Sequence, residues 1–260
     1  GDGVMGTKTG IAWTDSSWNP TRGCSRVSLG CGGPHGQGGC YAERIAARFS
    51  GPGKPYEGLA TMTNSGPRWT GNVAFVESAL DLPLRWKKPR RIFVDSMSDL
   101  FHEKVPDEWI DRIFAVMALA PQHSFQVLTK RPERMLAYCT GLGRSFARLK
   151  SACPVGWTME YEGIPLVPWP LPNLLVGVSV EDQKTVDERV PLLIQTPAAL
   201  RWVSYEPAIG PADFTRWLPH DSSDPAERFL GAPREPTLNW TVIGGESGLG
   251  ARPFNIDWAR

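Results

Sequence analysis

The chain has 260 residues, 41% hydrophobic and 21% charged, with a formal net charge of +1. That is enough apolar mass for a sizeable core. It is too little charge for a global nucleic-acid-binding field, which leaves only a local basic groove open.

Gly1-Asp2-Gly3-Val4 before Met5 reads as a cloning remnant with Met5 the natural start, so 1–10 is taken as tag remnant and N-terminal extension. No signal peptide is expected. Apolar runs are strand-length, so no membrane span is expected. Residues 11–260 are expected to form one domain, with loop insertions near 51–72, 151–172 and 218–236. Ile11-Ala12-Trp13-Thr14 predicts a short strand. Cys24, Cys31 and Cys40 follow, separated by six and eight residues. The segment Gly-Gly-Pro-His-Gly-Gln-Gly-Gly over 32–39 excludes regular structure. Cys40 to Phe49 predicts a helix with Ile45, Ala46 and Phe49 on one face. Gly51 to Asn72 reads as a loop, and Val73 to Leu80 as a helix.

From Arg91 a repeating pattern begins. Ile92-Phe93-Val94 predicts a buried strand followed by Asp95-Ser96-Met97-Ser98-Asp99, and Pro106 to Leu119 an amphipathic helix. Phe125 to Leu128 is the next strand, ending in Thr129-Lys130-Arg131-Pro132, from which another helix opens. Leu174 to Val178 ends in Ser179-Val180-Glu181, and Thr185 to Ile194 is helical. Leu200 to Val203 ends in Ser204-Tyr205-Glu206-Pro207. Trp240 to Ile243 ends in Gly244-Gly245-Glu246-Ser247-Gly248. Six strands alternating with helices imply a parallel α/β sheet. Polar residues at every strand end, not at one switch point, favour a partial (β/α)6 TIM-like barrel over a doubly wound sheet.

Five unevenly spread cysteines make no secreted disulfide framework, and a reducing cytoplasm fits them better. Cys139 and Cys153 read as ordinary thiols. The other three suit either of two metal centres. A [4Fe-4S] cluster held by three thiolates leaves one iron open. A structural zinc would take Cys24, Cys31, His35 and Cys40 as a Cys3His set. The spacing leaves both readings open.

Trp18-Asn19-Pro20 with Gly23-Cys24, Gly30-Cys31 and Cys40-Tyr41-Ala42-Glu43 resembles an uncharacterised, phage-associated family similar to radical S-adenosylmethionine enzymes. So do the stretches Phe93 to Phe101, Leu128 to Met135, Gly177 to Glu181, Glu206-Pro207 and Gly244 to Gly248. The gaps depart from the family's pattern, in which the second is shorter, so 32–39 looks like an insertion. The resemblance implies the partial radical-enzyme barrel, with the cluster on Cys24, Cys31 and Cys40 and S-adenosylmethionine as cofactor. One electron would cleave the sulfonium to a 5'-deoxyadenosyl radical that abstracts hydrogen. It also implies a bacterial or phage-infected cytoplasm, a donor such as flavodoxin or ferredoxin, and a nucleic-acid base or nucleotide as substrate. Catalysis-free binding of nucleic acid by a zinc-stabilised domain is the alternative.

Within this reading Ser96, Ser98 and Asp99 are candidates for the cofactor's amino group or ribose, with a common helix-capping role as the alternative for Asp99. Ser179 and Glu181 are candidates for ribose hydroxyls, or again helix caps. Lys130 and Arg131, with Arg252, are candidates for a carboxylate or phosphate. Glu206 is expected to face inward; Gly244, Gly245 and Glu246 are expected to approach the ligand closely, with a plain tight turn as the alternative; Tyr41 could pack on the adenine or equally belong to the core. His102 and His123 read as structural.

Overall fold

The computed structural model describes residues 9–33, 39–144, 147–157, 160–161, 164–165, 168–218, 237–248 and 250–259. His35 and nearly all of the 218–236 insertion lie outside them.

Six strands form the central sheet: β1 (Ser16–Trp18), β2 (Arg91–Val94), β3 (Ser124–Thr129), β4 (Leu174–Val180), β5 (Leu200–Tyr205) and β6 (Trp240–Ile243). Every adjacent pair is parallel, and the strands lie side by side in chain order. Among the described residues the strand order does not reverse, so they form no switch point of the doubly wound kind. Helices α1 (Tyr41–Arg48), α2 (Asp107–Leu119), α3 (Pro132–Arg144) and α4 (Gln183–Gln195) fall between successive strands. Among the described residues no helix is long and apolar enough to cross a membrane.

Strand periodicity divides the side chains between two faces. Ile92, Val94, Phe125, Val127, Val176, Val178, Val203 and Tyr205 share one core with Ile110, Ile113, Phe114, Met135, Leu142, Val186, Val190 and Leu193 of α2, α3 and α4. These three helices therefore cover one face only. Helix α1 stands apart from them. Its Ala42 and Ala46 pack with Tyr56, Leu59, Ala60 and Met97 beside a hairpin of Ala60–Thr63 and Gly66–Trp69.

The opposite face carries an aromatic layer. The Trp13 ring meets Phe93 of β2 at 4.9 Å, Trp202 of β5 at 5.1 Å and Trp240 of β6 at 5.8 Å between centroids. On a flat sheet β2 and β6 would stand about 19 Å apart. Contact of both with one indole shows that the sheet curls around Trp13. Gly177 of β4 makes room for this layer: a Cβ there would stand 2.4 Å from Trp202 Nε1. That nitrogen instead donates to the Val127 carbonyl at 3.1 Å.

Two expectations are corrected. The first strand is Ser16–Trp18, not Ile11 to Thr14, which forms a turn. Residues 73–80 are not a helix: Ala74–Phe75 pairs antiparallel with Thr21–Arg22, and Glu77–Ala79 is one 3-10 turn. The partner strand lies about fifty residues upstream, and pairing with it overrides local helical preference. The 51–72 loop also contains the hairpin at 60–69.

Candidate active site

A cavity of about 510 Å3 opens where the strands end, on the face that Trp13 floors. Cys24, Cys31, Cys40, Tyr41, Ser96, Ser98, Asp99, Lys130, Ser179, Glu206, Gly245 and Glu246 all line it. Glu181 lines an adjoining cavity of about 600 Å3, which shares Lys130. Gly244 stands behind Glu206: a Cβ on it would lie 2.4 Å from Glu206 Oε1.

Much of this polar set fastens the cysteine loop. Asn19 Oδ1 accepts from Ser96 Oγ and from the Met97 N–H, each at 3.0 Å. Ser98 Oγ donates to the Gly23 carbonyl at 2.8 Å. Gly23 has φ +93°, and a Cβ there would run into the Asn72 carbonyl oxygen. Tyr41 OH donates to the Ser96 carbonyl at 2.8 Å. At the far end, Glu246 accepts from the Gly39 N–H at 3.0 Å and from Arg252 Nε at 3.0 Å. Arg252 Nη2 donates onward to the Leu29 carbonyl at 2.9 Å. Burial alone would raise the Glu246 carboxyl. The bonds from Arg252 and Gly39 outweigh it and hold the group at about 2.

All five cysteines are free thiols. Two guanidiniums flank the three in the loop. Arg131 Nη1 lies 4.0 Å from Cys24 Sγ. Arg26 lies against Gly32, within electrostatic reach of Cys31 and Cys40. Glu43 holds Arg26 through its Nε at 3.1 Å, which explains the glutamate that follows Cys40-Tyr41-Ala42. The Val27 N–H points to Cys31 Sγ at 3.5 Å. Burial raises the Cys24 and Cys40 thiols, with Asp99 adding to the effect at Cys24. Loading a metal must therefore displace protons from them.

These donors fit an anionic iron–sulfur cluster. Three thiols face one cavity, and cations and an N–H are aimed at sulfur. Among the described residues no group of three or more His, Cys, Asp or Glu is placed to hold a single metal ion. A cubane cluster asks something different, one thiolate on each of three irons. The Cys3His set depends on His35, outside the described residues.

The basic groups are matched by carboxylates. Lys130 Nζ bonds to Ser179 Oγ at 2.8 Å and to Glu181. Glu181 is buried, and also accepts from Ser28 and from Arg189 Nη1 at 3.1 Å. Burial pushes its carboxyl up, but Lys130 and Arg189 prevail and hold it below its usual range. Asp99 accepts from Arg131 Nη1 at 2.8 Å, from Thr129 Oγ1 at 2.7 Å and from the Phe101 N–H at 3.0 Å, so it caps a tight turn and not a helix. The cap of α4 is Asp182, which accepts from the Thr185 N–H at 2.9 Å; neither Ser179 nor Glu181 has that role. Arg131 Nη2 also reaches Ser25 Oγ at 2.7 Å. His102 Nδ1 accepts from the Lys104 N–H at 3.1 Å, which leaves Nε2 to donate to the same hydroxyl at 2.9 Å. His102 is thus a fully buried structural group.

Sequence reasoning passed over Asp95. It lines the cavity, is 4% exposed, and is the one non-glycine among the described residues with positive φ, at 58°. Its Oδ1 accepts from the Thr21 N–H at 3.0 Å, while Oδ2 has no hydrogen-bond partner. Burial pushes its carboxyl up to about 7. The signal was its place at a strand end, in a backbone region that Asp and Asn tolerate best.

No curated protein and no solved structure matches the chain. One family model does, described as "Protein of unknown function (DUF5131)", over residues 8–260. With nearly its whole length matched, from the approach to the cysteine loop through the last strand-end loop, the chain belongs to that family.

Proposed function

We propose that this protein is a radical S-adenosylmethionine enzyme built on a partial (β/α)6 barrel, with a [4Fe-4S] cluster on Cys24, Cys31 and Cys40. One observation carries the reading: three free thiols and the ends of the parallel strands line a single cavity. The chain-order sheet that curls around Trp13 and carries helices on one face supports the barrel. When bound, the cluster supplies an electron to the sulfonium of S-adenosylmethionine, which yields a carbon radical for hydrogen abstraction.

The chain's own residues hold and shield this chemistry. Arg26 and Arg131 offset negative charge at the sulfurs. Glu246 and Arg252 clamp the loop against the last strand-end segment. Trp13 and Phe93 line the cavity floor. The substrate proposed from the resemblance is a nucleic-acid base or nucleotide presented base-first, since Lys130, Arg131 and Arg252 already have carboxylate partners. An electron donor of the flavodoxin or ferredoxin type, in a reducing cytoplasm, completes the proposal.

The test is anaerobic purification with iron, sulfide and zinc analysis, then EPR of the reduced protein with and without S-adenosylmethionine. About four irons and four sulfides per chain, with a spectrum that changes on adding the cofactor, is the expected result. Stoichiometric zinc without sulfide would replace this reading with the zinc-stabilised binding domain.

A further inference from the structure

The charged side chains that line the strand-end cavity are Asp95, Asp99, Lys130, Arg131, Glu206 and Glu246. Both cations are consumed. Lys130 pairs with Glu181, and Arg131 with Asp99 and Glu103. Glu246 is matched by Arg252. Asp95 and Glu206 are left, and neither forms an ion pair among the described residues.

We propose that the cavity recognises a positive charge on its ligand, and that Asp95 and Glu206 carry this recognition. The inference rests on the radical S-adenosylmethionine reading, in which that charge is the sulfonium.

Three observations support it. Asp95 is buried with Oδ2 unpartnered, although a buried polar atom without a partner is costly. Glu206 is also raised by burial, against hydrogen bonds from Ser204 and Trp13. A positive charge in the shared cavity would favour the ionised form of both carboxyl groups across the low-dielectric interior. The cavity floor is aromatic, from Trp13 and Phe93, and ring faces attract cations. The opposite assignment, a phosphate seat, would need free cations where the lining offers carboxyl groups.

Equilibrium dialysis of the cluster-loaded protein under anaerobic conditions tests this with two ligands. S-adenosylmethionine carries the sulfonium, and S-adenosylhomocysteine lacks it. Wild-type protein should bind the first roughly tenfold to a hundredfold more tightly, the range of one charge-assisted interaction. Glu206→Gln and Asp95→Asn should each narrow that ratio while iron and sulfide contents stay unchanged. Equal binding of both ligands by the wild type would overturn charge recognition and leave cofactor binding standing. Binding of neither ligand by protein with an intact cluster would overturn both. An unchanged ratio in both variants would leave the preference to the anionic cluster and overturn the assignment to Asp95 and Glu206.

Discussion

The guanidinium of Arg131 stands 4.0 Å from the sulfur of Cys24. It is held there by Asp99 Oδ2 at 2.8 Å and Glu103 Oε2 at 3.1 Å. Under the proposed function Cys24 is a cluster ligand, and a fixed cation beside it would stabilise the reduced state, because reduction adds negative charge. Arg131→Gln should lower the cluster's reduction potential by on the order of tens of millivolts, partly screened by the two carboxylates. Arg131→Lys should recover part of the loss. A redox titration followed by EPR checks this, with iron content as the control; identical potentials in all three proteins would refute it.

Asp95 gives the ligand-free protein a distinctive pH dependence. Its carboxyl is raised by burial from 3.8 to about 7 in the fold. A raised acid is bound to its proton more tightly when folded. Its stabilising effect is therefore complete below pH 3.8 and is lost as pH rises through 7. The interval is worth at most about 4 kcal/mol at roughly 1.4 kcal/mol per pH unit. Asp95→Asn removes this loss, and asparagine tolerates the positive φ. The variant should melt several degrees above wild type at pH 8, with the gap shrinking towards pH 5. Thermal unfolding by circular dichroism across that range is the measurement. A gap that does not vary with pH would dismiss the account.

Gly177 and Gly141 offer a matched pair. A methyl group at 177 would meet the Trp202 indole, which is stacked on Trp240 at 4.9 Å and cannot swing away cheaply. At 141, inside α3, the same methyl would meet nothing within 4 Å. Gly177→Ala should cost about 1–3 kcal/mol, a drop in Tm of about 3–10 °C for a chain of this size. Gly141→Ala should leave Tm unchanged or raise it slightly, through helix propensity. Equal melting of the two variants would show that the aromatic layer is looser than described.

The parallel core was legible because Ile92-Phe93-Val94 and Leu174 to Val178 are dense β-branched and apolar runs between helical stretches. Such runs report burial on both faces. Ser16–Trp18 was missed because a three-residue strand beginning Ser-Ser carries no pattern, while Ile11-Ala12-Trp13 beside it does. That run is apolar for another reason: Trp13 plugs the inner face from a turn. Convergence of Lys130, Ser179 and Glu206 followed from their places at parallel strand ends. Their hydrogen-bond partners did not, because the pairing of Lys130 with Glu181, or of Ser98 with Gly23, joins loops far apart in the chain. Asp95 stood out only once its backbone angle and missing partner could be seen.

The clamp on the cysteine loop also orders events in time. Gly39 reaches Glu246 across 207 residues, and Leu29 reaches Arg252 across 223. During synthesis the thiols emerge first, and the residues that shape their loop emerge more than two hundred residues later. Contacts so distant in sequence form late and slowly. The cysteines therefore wait for two hundred further residues before their loop can take its final geometry.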